Sequence, residues 1–460
     1  PGQVVIHQSG ERVHTSFKPL LQSDVERVDL TQSYSTDSAY FLSTLRREKA
    51  QGSLLHRKLF HEHLFVVDEK DFYLTLDPLF DFSFGRELES QDELLYKNMR
   101  GFLLRANIGQ KVSFQSTFRE NQARFGSFIT QEVNRTRDAL GQGKVRDLDA
   151  GGFDFAMASA YVSYSPSQKW NFQIGHGKHF VGDGIQSHFL SDRPFNYPFL
   201  KVSSKWFSGK VKYTNLYAAL QEIKRLPYAD REGLLYRKTG NFIYMNVALS
   251  NNFYVGIFEG RVWETVDTIT GENVLPVSAL IPVLGVNTIL EKIDNRKSNG
   301  SIGINMKWKA GRSLQLYSQA AMHSGEDFSG QIGIKYFPAK NLFFQLEYNL
   351  RDFDSLKLAS SEIAYSHYSR QLGFDKNKQL TLRAQYRYKR YFAHTEISGY
   401  EQLKSDISYI DLNIGYLINL ATDFSFNFGF ISRQKKGAEE GSSIFYVSLR
   451  TNLQDIFYDI

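Results

Sequence analysis

A strict alternation of apolar and polar side chains is the feature that most constrains this chain. It recurs in short runs after the first seventy residues and continues almost to the C-terminus. Residues 378–390 show it well, because Leu380 and Leu382 fall on one face while Thr381 and Arg383 fall on the other. Side chains of a β-strand point alternately to opposite faces, so each run predicts a strand with one apolar face.

Strands of this kind fit two architectures. In a soluble sandwich the apolar face packs inward and the polar face meets water, whereas in an outer-membrane barrel the apolar face meets lipid and the polar face lines a wet lumen. The mean hydropathy of −0.37 shows that the apolar residues are interleaved with polar ones. The 460 residues could form several soluble domains or one large barrel, and no linker divides them.

The lengths of the connections favour the barrel. The alternation predicts about eighteen strands, from residues 72–84 to residues 443–453. Tight connections lie at 108–111, 165–169, 208–210, 250–252, 310–312, 338–341, 390–391 and 419–423. The connections that alternate with them are mostly longer, at 119–152, 178–198, 221–241, 264–300, 354–378 and 432–442. Short turns at one end and long loops at the other are typical of bacterial outer-membrane barrels.

The predicted register assigns a lipid face and a lumen face. With the N-terminus in the periplasm, Trp170, Trp206 and Trp308 fall beside short turns and Trp263 beside a long loop, where aromatic girdles belong. The alternative is that these tryptophans are ordinary core residues. The predicted lipid face includes Ile302, Ile304, Met306, Trp308, Phe424, Phe426, Phe428 and Phe430. The predicted lumen face includes Asn305, Lys307, Lys309, Lys335, Gln345, Glu347, Arg351, Arg383, Gln385, Arg387 and Glu396.

Two segments depart from the alternation. Residues 1–70 predict an N-terminal periplasmic segment with a short helix at 36–50, followed by a barrel over residues 71–460. Residues 273–290 are uncharged and largely apolar, but Pro276, Pro282 and Gly285 interrupt them. A spanning helix needs about 20 residues with few such breaks, so we interpret this segment as an apolar surface loop.

Composition and motifs exclude most enzymatic chemistry. The chain has no Cys, so disulfides, thiolate catalysis and thiolate zinc sites are excluded. The charge of 55 − 49 = +6 is too small to indicate nucleic acid. His61 and His63 could be two metal ligands, but no third ligand has a recognisable spacing, so we expect no metal and no cofactor. The chain begins at Pro1, and removal of a signal peptide is one expectation.

Several stretches resemble a known family. These are residues 57–64 (RKLFHEHL), 71–78 (DFYLTLDP), 152–165 (GFDFAMASAYVSYS), 175–184 (GHGKHFVGDG), 190–192 (LSD), 196–200 (NYPFL) and 212–217 (KYTNLY). Together they resemble the Bacteroidota branch of the Wzi-like capsule-assembly outer-membrane proteins, which includes gliding-motility relatives of the RemB type. The resemblance covers roughly residues 55–220, and only the strand rhythm continues beyond them.

This resemblance implies an eighteen-stranded barrel in the outer membrane of a Bacteroidota-like Gram-negative cell, with a helical portion near the periplasmic mouth. It also implies a protein without enzymatic activity that assembles surface polysaccharide or belongs to a surface machine with other outer-membrane or periplasmic proteins. The segment 274–290 is more apolar and less aromatic than the family leads us to expect. Contiguous exposed apolar surface usually marks an interface, so there we expect a protein partner.

Our leading hypothesis is therefore a barrel that contacts outer-membrane lipid and binds or organises polysaccharide. The candidate ligand-binding residues are Lys178, His179, Asp183, His188, Asp192, Arg383, Arg387 and Lys389. Their cations would suit acidic sugars. The first alternative is a transport channel for small solutes or lipids, and the second is an outer-membrane hydrolase whose site forms from side chains that converge in space.

Overall fold

Eighteen antiparallel strands close into one barrel, as the alternation predicts. In chain order β1 to β18 are Phe72–Glu87, Leu94–Ile108, Val112–Arg124, Phe153–Tyr164, Trp170–Gly177, Tyr197–Trp206, Val211–Arg225, Leu235–Ala248, Phe253–Glu264, Ser298–Ala310, Leu314–His323, Phe328–Ala339, Leu342–Asp352, Lys378–Tyr388, Tyr391–Gln402, Ser405–Asn419, Phe424–Lys435 and Ser442–Arg450. Each strand pairs with the next in sequence, and β18 pairs with β1.

The coordinates are those of a computed structural model. It describes residues 3–6, 12–15, 53–89, 94–109, 111–225, 235–265, 275–291, 298–311, 313–324, 327–339, 341–352, 366–367, 370–371, 377–402, 405–419, 421–437 and 441–451. The predicted helix at 36–50 lies outside these residues.

Three helices occur among the described residues: α1 at Leu54–Phe60, α2 at Ser127–Thr136 and α3 at Val286–Glu291. Short 3-10 turns lie at Phe207–Gly209 and Val277–Leu280. The minor strands are Gln3–Ile6 with Arg12–Thr15, Ser366–His367 with Arg370–Gln371, Phe65–Glu69 beside β1, and Arg146–Asp147 beside β4. No helix in the described part of the chain is long and apolar enough to cross a membrane.

The barrel closes at a seam in which β1 has two partners on one side. Phe65–Glu69 pairs with the start of β1, and β18 pairs with it from Asp81 onward. Pro78 lies between these two pairings, where its missing N–H removes no ladder hydrogen bond. For that reason β1 runs unbroken to Glu87 in spite of the proline.

The two faces of the wall are arranged as predicted. Ile304, Met306 and Phe428 project outward and are exposed, whereas Lys335 and Glu347 face the lumen and are buried. Trp170, Trp206 and Trp308 are exposed beside the short turns. The expectation for Trp263 is wrong in one respect, because this side chain is only 4 % exposed although its register with Ser298 places it on the outer face. Other parts of the chain therefore cover the outer wall near Trp263.

The long-loop end is less uniform than the sequence predicts. Residues 221–225 and 235–241 are strand, since the pairing of β7 with β8 continues through Gln221 and Arg237. Only residues 403–404 connect β15 to β16 at this end. Two of the long connections that fold over or into the barrel are the mouth loop (residues 125–152) and the lumen loop (residues 178–196). They shape the candidate site.

Candidate functional site in the barrel lumen

The mouth loop fills the long-loop end of the lumen with apolar side chains. Its helix α2 buries Phe128, Ile129 and Val133. These pack in one cluster with side chains from strands of the far wall, including Tyr400, Ile407, Tyr409, Ile431 and Ile444. Burial of this many large apolar groups fixes the loop across the opening, because each would lose about 1.5–3 kcal/mol on exposure to water.

Polar contacts fix the start and the middle of the mouth loop. The carboxylate of Glu87 on β1 accepts hydrogen bonds from the backbone N–H and the hydroxyl of Ser127, at 2.9 and 2.5 Å. Asp138, fully buried, accepts from the N–H groups of Gly141 and Gly143, at 2.6 and 3.1 Å. A buried carboxylate is tolerated only when it is satisfied in this way. The mouth loop is thus a fixed part of the fold.

The lumen loop crosses the barrel and binds the opposite wall. It leaves β5 and returns to β6, yet its backbone contacts the inward side chains of β11, β12 and β13. The N–H of His188 donates to the Oε1 of Gln319 at 3.0 Å, and the Nε2 of Gln331 donates to the carbonyl of Gln186 at 2.9 Å. Such contacts hold an irregular segment at a defined position within the lumen.

Glu347 on β13 is the main anchor of the lumen loop. Its carboxylate accepts the N–H groups of Ile185 and Gln186, at 2.5 and 3.0 Å. It also accepts the Tyr317 hydroxyl at 2.7 Å and the Asn349 amide at 2.8 Å. Hydrogen bonds to an ionised group contribute about 1.5–3 kcal/mol each, so four of them offset much of the cost of burying this charge.

Asp183 provides a second anchor from the loop side. Its carboxylate forms an ion pair with the Lys307 ammonium group at 3.0 Å and accepts the amide of Asn305 at 3.0 Å. Burial opposes its ionisation, but the charges of Lys307 and Lys335, together with the hydrogen bonds from Asn305 and Lys307, hold the pKa of Asp183 below its ordinary value. The loop carboxylate therefore stays ionised and paired with β10.

His188 is fully buried at the centre of the same network. Its Nε2 lies 3.0 Å from the amide oxygen of Asn349, whose own amide nitrogen donates to Glu347. Burial lowers the pKa of His188 to about 3, although the bond to Asn349 favours protonation, and the nearby Arg351 charge lowers it further. The imidazole is neutral at physiological pH and donates from Nε2.

Two glycines allow the loop to approach the wall. A Cβ at Gly184 would overlap the side chains of Gln331 and Glu347, and one at Gly182 would overlap Gln319. Gly182 also has a φ of +143°, which side chains rarely allow. The glycines of the 175–184 stretch therefore serve close packing between a loop and the wall.

The remaining lumen wall is densely charged and closely packed. Buried cations facing the lumen are Lys97, Arg105, Arg119, Lys201, Lys238, Lys307, Lys335, Arg351 and Arg383. Buried lumen carboxylates are Asp77, Asp81, Glu87, Glu347 and Glu396. Lys97 pairs with Asp81 at 2.9 Å and Arg383 with Glu396 at 2.5 Å. Because so many of these groups are shielded from solvent, the lumen is narrow, and cations predominate in it.

A basic depression opens at the short-turn end of the lumen. Its lining includes Lys210, Lys212, Tyr254 and Lys307. The ammonium groups of Lys307 and Lys309 lie 5.2 and 5.1 Å from the centre of the Tyr254 ring. Clustered ammonium groups beside an aromatic ring attract anions and hold them near the narrow part of the lumen.

The predicted ligand-binding residues do not form one site. Asp183 and His188 lie in the network that anchors the lumen loop, and Lys178, His179 and Asp192 are half-buried nearer the ends of that loop. Arg383 is paired with Glu396, Arg387 lies further along β14, and Lys389 is exposed in the turn that follows. Their roles in ligand binding stay predictions, since the structure assigns packing contacts to several of them.

The sequence placed Glu347, Asn305 and Lys307 on the lumen face but did not indicate that they bind the lumen loop. They are separated from their loop partners by more than 120 positions, so no local spacing signals the contact. The only sequence hint is Asp183 with its neighbouring glycines. His63 binds Asp77 at 2.6 Å, and the described residues contain no group of three or more potential metal ligands.

No protein-family model matches this chain, and no curated protein sequence matches it. Solved structures with the same architecture include OccK9 (OpdG) from Pseudomonas aeruginosa, at 10 % identity and a TM-score of 0.50, covering 84 % of this chain and 99 % of that one. OpdQ from the same organism gives 12 % identity and a TM-score of 0.48, covering 83 % and 96 %. At such identity the likeness concerns the fold alone. The protein is an outer-membrane β-barrel.

Proposed function

We propose that this barrel is a narrow outer-membrane channel for small polar solutes, with anions preferred over cations. The observation that carries the proposal is the lumen loop, which crosses the barrel and is fixed to the opposite wall by Glu347 and Asp183. A loop held across the middle of the lumen limits the size of the solutes that can pass, but it does not close the lumen. The excess of lumen cations and the basic depression favour anions.

Polar groups along the lumen support this proposal. Both amide atoms of Gln315 and of Gln379 are without a hydrogen-bond partner among the described residues. Asn427 Oδ1 and Ser448 Oγ on other strands share this property. Buried polar atoms without a protein partner are expected where water enters a lumen, whereas a lumen that serves only as packing would satisfy or omit them. The same chain has no motif for catalysis, so we propose a non-enzymatic function.

The test is single-channel recording of the purified full chain in a planar bilayer. We expect small discrete conductance steps and a reversal potential that shows anion preference in a salt gradient. A variant in which residues 179–192 are replaced by a Gly/Ser linker should conduct several-fold better. If neither protein conducts, or if the linker variant conducts no better than the wild type, the proposal is wrong.

A second candidate function is polysaccharide binding, from the resemblance to Wzi-like proteins. One observation favours it, because the apolar cluster around Phe128 and Tyr409 closes much of the long-loop end, as suits a scaffold that need not conduct. Its partners would be a surface glycan and other outer-membrane or periplasmic proteins, with the N-terminus on the periplasmic side. A wild-type barrel that binds acidic glycans on an array and passes no current would support this function over the channel.

A further inference from the structure

Polar side chains lie on the outer wall of the barrel, where lipid contact would be expected. By register Asn241 and Glu259 project outward, since Glu259 pairs with Ile243 and with the exposed Ile302. Yet Asn241 and Glu259 are each only 1 % exposed, and the outward Ile243 is fully buried. A wall in direct contact with lipid would not carry an amide and a carboxylate, so another part of the chain covers this region.

The covering part is the segment 275–291, which we call the outer-wall segment. The amide nitrogen of Asn241 donates to the carbonyls of Ala279 and Ile281, at 3.0 and 2.9 Å. The hydroxyls of Tyr213 and Tyr217 donate to the carbonyls of Pro282 and Leu280, at 2.5 and 3.0 Å. These side chains all lie on outward positions of β7 and β8, so the segment lies along the outside of the barrel.

Glu259 binds the other half of the outer-wall segment. Its carboxylate accepts the N–H of Gly285 at 2.5 Å, and the N–H and hydroxyl of Thr288 at 2.8 and 2.6 Å. The same strand carries the outward Arg261, which is also buried. A charged group on the outer wall is thus paired with backbone donors and removed from lipid.

The register places these contacts at the depth of the hydrocarbon. Phe253 pairs with Trp308, which is exposed at the short-turn end and marks the aromatic girdle there. Glu259 lies six residues further along β9. At about 3.3 Å per residue and a strand tilt of about 40°, six residues rise about 15 Å, within an apolar band about 25 Å tall.

Part of the backbone of the segment is paired within the protein. Besides the bonds from the wall, the N–H groups of Ala279, Ile281, Val286 and Ile289 donate to carbonyls within the segment, at 3.0, 3.2, 3.3 and 3.2 Å. Pro276 and Pro282 have no N–H to satisfy. Such pairing within the protein is what allows irregular backbone at membrane depth.

The outward side of the segment is apolar and uncharged. Val277 and Ile289 are 79 % and 61 % exposed, and Leu275, Leu280 and Val283 are also more than half exposed. Residues 275–290 contain no charged side chain. We propose that the outer-wall segment is immersed in the bilayer, with its carbonyls and amides turned to the barrel and its apolar side chains in contact with lipid acyl chains.

The test uses the absence of cysteine from the chain. Single variants Val277→Cys and Ile289→Cys, in the full-length barrel, are labelled with an environment-sensitive fluorophore and reconstituted into phosphatidylcholine vesicles. We expect quenching by lipids that carry a doxyl group in mid-chain and little quenching by aqueous iodide. Ile332→Cys, on the exposed outer wall, is the control for lipid contact, and Asn251→Cys, in an exposed turn, is the control for water.

The proposal requires that labels at 277 and 289 match the Ile332→Cys control to within about twofold in doxyl quenching. Iodide quenching equal to that of Asn251→Cys would mean that the segment is an aqueous loop, and would overturn the proposal. Protection from both quenchers would also overturn it, since a protein partner or a second copy would then cover the segment. Both sites are exposed on the protein surface, so neither substitution should disturb folding.

Discussion

At the scale of single residues, His188 couples the position of the lumen loop to pH. In the docked loop the pKa of His188 is about 3, whereas a histidine in an exposed loop has an ordinary pKa of 6.5. Between these values the released loop binds a proton that the docked loop does not, so acidification favours release by about 1.4 kcal/mol per pH unit. We expect the conductance to rise as the pH falls from 7 to 5.

The control for this prediction is His188→Gln, which keeps an amide donor near Asn349 but does not titrate. The dependence on pH should become clearly weaker in this variant. Asp183 does not complicate the comparison, because its pKa is held below the ordinary range and it stays ionised over this interval. An unchanged pH profile in His188→Gln would show that some other group controls the loop.

The sequence correctly predicts the face on which a side chain lies wherever that side chain follows the local two-residue period. The lipid position of Ile304 and the lumen position of Lys307 follow from counting by twos along β10. The same count places Glu259 and Asn241 on the outer face, where their burial depends on a distant segment. The two-residue period predicts the direction of a side chain, but it does not predict which distant segment covers that side chain.

At the scale of elements, the two inward loops decide the shape of the lumen. Gly184 is a point of close approach between the lumen loop and the wall, because a Cβ there would overlap Gln331 and Glu347. We expect Gly184→Val to displace the loop and to make it susceptible to limited trypsin digestion after Lys178, which is half-buried in the docked loop. Gel electrophoresis of the digests measures the cleavage rate.

Gly399→Val is the matched control, since no atom lies within 4 Å of a Cβ built at that outward glycine of β15. Its digestion should match that of the wild type. Equal resistance of Gly184→Val would contradict the close docking of the loop. This experiment does not depend on conduction, so it tests the loop separately from the channel function.

Loop conformation is the part of the site that the sequence could not predict. The stretch 175–184 indicates a strand that runs into a glycine-containing loop, and β5 ends at Gly177 as expected. Whether that loop projects outward or folds into the lumen depends on Gln319, Gln331 and Glu347, which lie far along the chain. Tertiary contacts over such separations leave no periodic signal.

At the scale of the whole molecule, the number of strands was predictable because every strand carries its own alternation and the turns mark the ends. The way in which the barrel closes was less predictable, since it depends on how the first and last strands meet. β18 covers only the second part of β1, and Phe65–Glu69 covers the start. The N-terminal segment thus contributes a strand to the seam of the barrel.

Asp77 on β1 joins this short strand to the seam. Its carboxylate lies 2.6 Å from Nδ1 of His63 and accepts the N–H of Leu64 at 3.0 Å. Asp77→Ala removes both contacts, a loss of up to about 1.5–3 kcal/mol per bond to a charged group. We expect the temperature at which the folded barrel converts to the unfolded form on SDS gels to fall by several degrees. Asp68 is an exposed residue of the short strand Phe65–Glu69, and Asp68→Ala should leave that temperature unchanged. Equal conversion temperatures for the two variants would mean that closure depends on the β1 and β18 pairing alone.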